Sequence, residues 1–214
     1  MKRMNRFLGM MAMAAMPLLF TACDDDHYVY DYYDYYEEWY DDYDWYDKSF
    51  NYGTNVLNEE AQCLRGHWEG DMVLEYTDDY GQRQRAAMGV EFEFDQYNSK
   101  SLNGRGREID YVGDEWQELR FSWYIDPRTG DINIKYDGSG FTFRLDINDR
   151  VNGFYLDDNV FYGTMVGQNN DEIIYFDCTR TTLAKPNAAM QTRKMVGGVQ
   201  KPDMDAPRVL VDRR

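Results

Sequence analysis

Three separated stretches of the chain alternate strictly between apolar and polar residues, and this constrains the fold more than any other feature. In VEFEFD at 90–95, Val90, Phe92 and Phe94 alternate with Glu91, Glu93 and Asp95. In LRFSWYI at 119–125, Leu119, Phe121, Trp123 and Ile125 alternate with Arg120, Ser122 and Tyr124. FTFRLDI at 141–147 repeats the scheme with Phe141, Phe143, Leu145 and Ile147. Successive side chains of a strand point to opposite faces, so a sustained period of two means strands with one buried and one wet face. Weaker versions cover 68–77, 105–112, 131–136, 151–156, 159–166 and 172–180. Turn-forming clusters separate them: DDYG at 78–81, LNGRG at 102–106, DPRTGD at 126–131, DGSG at 137–140, LDDN at 156–159 and GQNND at 167–171. Eight or nine strands joined by tight turns make a meander, and closing it removes the edges an open sheet would leave. The expectation is an all-β, antiparallel up-and-down β-barrel, with a two-sheet sandwich as its rival. A short helix over 58–65, with Asn58 as its cap and Gly66 just past its end, should precede the first strand.

The flanks have a different texture. Residues 1–22 carry Lys2, Arg3 and Arg6, then an apolar run from Phe7 to Phe20, then the small residues Thr21 and Ala22. Those are the three parts of an export signal, and the run is shorter than the roughly 20 apolar residues a membrane span needs. Phe20-Thr21-Ala22-Cys23 resembles a bacterial lipobox, with Phe20 where the family usually has leucine. The resemblance implies that Cys23 is lipidated and becomes the first residue of the mature lipoprotein. Each buried acyl CH₂ contributes about 0.8 kcal/mol, and stable anchoring takes more than one chain. Asp24-Asp25-Asp26 is similar to the surface-export signal of lipoproteins of the Bacteroides group. That likeness implies an outer-membrane protein on the cell surface, the periplasmic face being the alternative.

Residues 23–56 read as a tether. Asp31, Asp34, Glu37, Glu38, Asp41, Asp42, Asp44 and Asp47 interleave with tyrosines, Trp39 and Trp45, and only Lys48 opposes them. Self-repelling carboxylates interrupt every apolar face, so the block should be disordered. About 27 flexible residues span on the order of 30 Å, and up to about 90 Å stretched out. The tether lacks the spacing and glycine turn of a calcium loop; a glycan or another envelope protein is its candidate partner. At the other end, 183–214 has no period and a mild positive balance, and also reads as a disordered tail. The formal charge of -16 argues against nucleic acid, whose phosphates demand a basic face.

Between the flanks, residues 57–182 form the barrel domain. With Cys23 lipidated, Cys63 and Cys178 remain, in an oxidising compartment. Cys63 lies just before the first strand and Cys178 near the end of the last; closure would bring those strands together, so a disulfide between them is expected. The chain-entropy account values a loop of that length at about 4 to 5 kcal/mol. Gly66-His67-Trp68 resembles the lipocalin signature, and Arg180 stands where that family's covering arginine should be. The resemblance implies a lipocalin-like barrel closed at one end by an Arg180–Trp68 contact, worth roughly 0.5 to 2 kcal/mol.

Catalytic chemistry finds little footing. His27 and His67 are the only histidines, too few for a zinc site or a Ser-His-Asp arrangement. Gly138-Ser139-Gly140 joins two strands, where a nucleophile elbow joins a strand to a helix. Glu91 and Glu93 share an outward face and carry no weight as a glycosidase pair. No catalytic residue, metal or cofactor is expected, and His67 reads as a rim residue. Binding remains. Phe92, Phe94, Phe121, Trp123, Phe141 and Phe143 are the candidate lining, and at roughly 150 to 250 Å² each they either fill a short barrel or line a cavity for a small, flat or lipid-like apolar ligand. The reading is a non-catalytic, membrane-anchored envelope lipoprotein that binds such a ligand or acts structurally; its rival is a carbohydrate-binding β-sandwich with Trp116 or Trp123 as a sugar platform.

Overall fold

The alternating segments close into a cylinder. The computed structural model describes residues 44–51, 53–148, 153–181 and 201–214, with the backbone alone of Met195 and Val196. Helix α1 (Asn55–Leu64) precedes β1 (Gly66–Thr77), β2 (Arg83–Gln96), β3 (Asn103–Val112), β4 (Glu115–Ile125), β5 (Ile132–Tyr136), β6 (Thr142–Leu145), β7 (Tyr155–Leu156), β8 (Val160–Gly167), β9 (Ile173–Arg180) and β10 (Met195–Val196). Every pairing among these strands is antiparallel. The circuit runs β1-β2-β3-β4-β5-β6-β8-β9 and returns to β1, with Trp68 opposite Arg180 and Glu75 opposite Ile173. The barrel is therefore a closed, eight-stranded, up-and-down one, and the sandwich is excluded.

Two predicted strands turn out to share one place in that circuit. The segments expected at 141–147 and 151–156 shorten to β6 and β7, which line the same edge of β8 at Met165–Gly167 and at Phe161–Tyr162. Phe141 falls just before β6 and is half-buried. The turn expected at 102–106 also moves, to 97–102, because Asn103 to Gly106 belong to β3. Glycine there serves close approach: a Cβ on Gly106 would overlap the Phe121 ring and the Glu93 carbonyl.

The helix starts earlier than its sequence suggested. Thr54 is the cap, its Oγ1 accepting from the Leu57 amide at 3.3 Å, whereas Asn58 sits one turn inside and donates its side-chain amide to the Gly53 and Thr54 carbonyls. Ala61 and Leu64 are fully buried, so α1 lies on the barrel end where β1 begins. The turns after β1, β3, β5 and β8 gather at the opposite end, the mouth.

Both flanks dock where disorder was expected. The signal, Cys23, the acidic triplet and the tether up to residue 43 lie outside the described residues, but Asp44 onward belongs to the barrel unit. Trp45 and Phe50 are buried against one another, with ring centroids 4.5 Å apart. Asn103 latches them: its Nδ2 donates to the Trp45 and Lys48 carbonyls, at 2.8 and 2.5 Å, and its Oδ1 accepts from the Phe50 amide at 2.9 Å. The tether reading is thus corrected from residue 44 on, because aromatics find a groove even when acids surround them. Thr182 and, of the expected tail, 183–194 and 197–200 lie outside the described residues, Met195 and Val196 being described by backbone alone, whereas 201–214 is held to the barrel. Lys201 reaches Asp177 on β9, Arg208 reaches Asp71 on β1, and Ala87 on β2 exchanges backbone hydrogen bonds with Pro207 and Val209.

Candidate functional site at the barrel mouth

The closed end sets the frame. Arg180 lies 4.0 Å from the Trp68 ring centroid and donates to the carbonyls of Cys63, Arg65 and Asp158 at 2.5, 2.7 and 2.6 Å. Trp68 Nε1 donates to the Leu64 carbonyl at 2.8 Å. Strand, helix and the β7–β8 turn are therefore tied through one guanidinium. Gly66, at φ 129, permits this, since a Cβ would meet the Arg180 Nη1.

The disulfide expected in the same place is absent: Cys63 and Cys178 are free thiols. Cys178 faces inward opposite Gly70, one strand repeat of about 6.6 Å from Arg180, and it is Arg180 that meets the helix end. Burial raises both thiols, pushing Cys63 up to about 12 despite the opposing pull of Arg180.

The middle of the barrel is filled by rings. Phe92, Phe94, Phe121, Trp123 and Phe143 are all buried, as the alternation predicted, while Phe141 stays at the rim. Phe94 lies 5.1 Å from Phe121, 6.0 Å from Trp123 and 6.0 Å from Phe161, and Phe161 lies 4.6 Å from Phe176. Trp123 donates Nε1 to the Asp95 and Arg105 carbonyls and is inaccessible as a sugar platform; Trp116, 65% exposed, is not. His67 sits on the outside, 3.1 Å from Glu91.

Toward the mouth the filling becomes polar. Glu108 and Asp110 on β3, Gln117 on β4 and Tyr136 on β5 all point inward, and both carboxylates are wholly buried. Arg213 enters from the C-terminal segment with a side chain only 5% exposed. Its Nη1 donates to Glu108 Oε1 and, at 3.3 Å, to Asp110 Oδ2, while the guanidinium lies 5.0 Å from the Tyr136 ring centroid. The Tyr136 hydroxyl donates to Glu108 Oε2, and Gln117 Nε2 donates to Asp110 Oδ2 at 2.9 Å.

Burial, and then the Glu108 charge beside it, push Asp110 well above the ordinary carboxyl range, with Arg213 pulling the other way. Burial opposes the charge on Arg213, but Glu108, Tyr136 and Asp110 together hold the guanidinium protonated above its usual range. Stripped of Arg213, these carboxylates would be buried without a cation, a situation costing several kcal/mol per ion. Among the described residues no group of three or more His, Cys, Asp or Glu side chains is placed to hold a metal ion.

Sequence reasoning missed this cluster. In REIDYV, Ile109 and Tyr111 look like the inward residues of β3, yet the register pairs Phe92 with Glu108 and Val90 with Asp110, which turns the acids inside. The Tyr111 ring instead covers Gly89. The available signal was register, since the inward face of β2 was already legible.

No protein-family model matches the chain, and no curated protein matches it significantly in sequence.

Proposed function

We propose that the protein is a lipid-anchored outer-membrane lipoprotein, exported to the cell surface, whose lipocalin-like barrel is a non-catalytic binding or structural module. The observation that supports it best is how the interior is used. Rings occupy the middle of the barrel and a paired guanidinium occupies the mouth, so the two carboxylates most suited to acid–base work are kept from solvent. A cleft of about 270 Å³ opens outward beside Tyr136 and Arg213, and one of about 400 Å³ lies among charged side chains between Glu93 and Asp137. Neither is an apolar chamber. A module of this kind recognises partners at its rim and outer faces, with membrane attachment through Cys23 supplying its address.

Replacing Cys23 with alanine tests the anchor, by fractionation of the cells that express the protein. The variant is expected in the soluble fraction; retention in membranes overturns the anchor. A fluorescent fatty-acid probe should show no saturable binding to the purified chain, and stoichiometric uptake would make the barrel a carrier.

A further inference from the structure

The C-terminal segment is bound the way a peptide ligand is bound. Its path crosses the outside of β9, β1 and β2, where its charged contacts are solvent-exposed ion pairs of Lys201 with Asp177, Arg85 with Asp203 and Arg208 with Asp71. Such pairs position more than they hold. Beyond Gly89, where β3 ends, β2 has β1 on one side only, and Pro207 and Val209 occupy the other side through the Ala87 amide and carbonyl, at 2.7 and 3.1 Å. Gln117 then reads the backbone on both sides of Asp212, Nε2 donating to the Val211 carbonyl at 2.7 Å and Oε1 accepting from the Arg213 amide at 3.2 Å. Last comes the Arg213 guanidinium, whose Nη1 donates to both Glu108 and Asp110 while its carbon lies 5.0 Å from the Tyr136 ring centroid.

These are the elements of peptide recognition by strand addition: a sheet edge for the main chain and a shaped pocket for a side chain four residues on from Val209, the last edge contact. The pocket suits a guanidinium better than an ammonium, because the Tyr136 ring gives a planar cation a face to lie against while one of its edge nitrogens meets both carboxylates. Asp110 Oδ1, wholly buried, meets no hydrogen-bond partner even with Arg213 in place, so the present occupant leaves one polar atom of the pocket unmet.

We propose that the barrel mouth is a binding site for an extended peptide bearing an arginine, occupied in this structure by residues 207–213 of the chain itself. The tail acts as a tethered occupant. A segment joined to its site by some twenty residues is present at a local concentration on the order of millimolar, so a free peptide enters only after the cis arginine is weakened or displaced. This assignment stands independently of the membrane anchor.

The test uses the full chain with Arg213→Ala, which keeps the tail but empties the pocket, and a fluorescein-labelled peptide of residues 203–214 as the probe. Anisotropy should show saturable binding to the variant, at least tenfold weaker binding to the unaltered chain, and at least tenfold weaker binding when the probe carries lysine in place of its arginine at 213. Adding Glu108→Gln to the Arg213→Ala chain should abolish it. A folded Arg213→Ala chain that binds no probe overturns the proposal and makes Arg213 a fixed strut. Should that variant not fold, the unaltered chain is cut at a protease site introduced between residues 197 and 200. Exchange of the cut tail for labelled probe then supports the proposal, and a tail that does not exchange over a day overturns it.

Discussion

Arg180 stands directly opposite Trp68 across the seam between β9 and β1, with its guanidinium 4.0 Å from the ring centroid. The strands that close the barrel are thus joined by a side-chain contact as well as by their ladder. The same guanidinium satisfies three carbonyls, so Arg180→Met should cost on the order of 3 kcal/mol. Urea unfolding followed by tryptophan fluorescence measures it, and Arg180→Lys should recover less than half of the loss, because an ammonium cannot fork across the three acceptors.

Glu60 on α1 predicts a pH dependence. It is 1% exposed, neither of its carboxylate oxygens meets a hydrogen-bond donor, and burial, reinforced by the charge of Asp131, pushes it up to about 8. A carboxyl raised on folding contributes most below its unfolded value of about 4.5, and that contribution is lost as pH rises toward 8, an effect on the order of a few kcal/mol. Glu60→Gln should flatten the stability profile between those limits and melt higher than the parent at pH 8.

Asn103 predicts a local loosening. Replacing it with alanine removes three hydrogen bonds to the backbone of residues 45–50, about 2 to 4 kcal/mol in total. Hydrogen exchange should speed up in 44–51 well before it does in β1 or β2. Equal acceleration throughout would mean that the segment is integral to the barrel and not latched onto it.

The thiols supply a chemical check. With both raised by burial, neither Cys63 nor Cys178 should react readily with Ellman's reagent at pH 8 in the native Cys23→Ala chain, and both should react in denaturant. A reductant should leave the melting temperature unchanged; a fall would mean the two had bridged.

Alternation made the barrel legible. Phe92, Phe94, Phe121, Trp123 and Phe143 were placed inside by period alone, and the Arg180–Trp68 closure by a resemblance of a few residues. Composition misled at the ends. Trp45 and Phe50 sit among acids, and Val209, Val211 and Arg213 among residues of no obvious pattern, yet each binds a surface that exists only once the sheet has closed. The mouth cluster was hidden for a related reason: Glu108 and Asp110 flank Ile109, and nothing local says that the isoleucine is the outward residue. Long-range register decided it.

The stretch of β2 beyond the end of β3 carries a wider consequence for the molecule in solution. A chain trimmed ahead of Pro207 by a protease presents the main-chain groups of Ala87 to its neighbours with no cover. Sheet-to-sheet association between copies trimmed in this way is the expected outcome, so the last eight residues double as a guard on that edge.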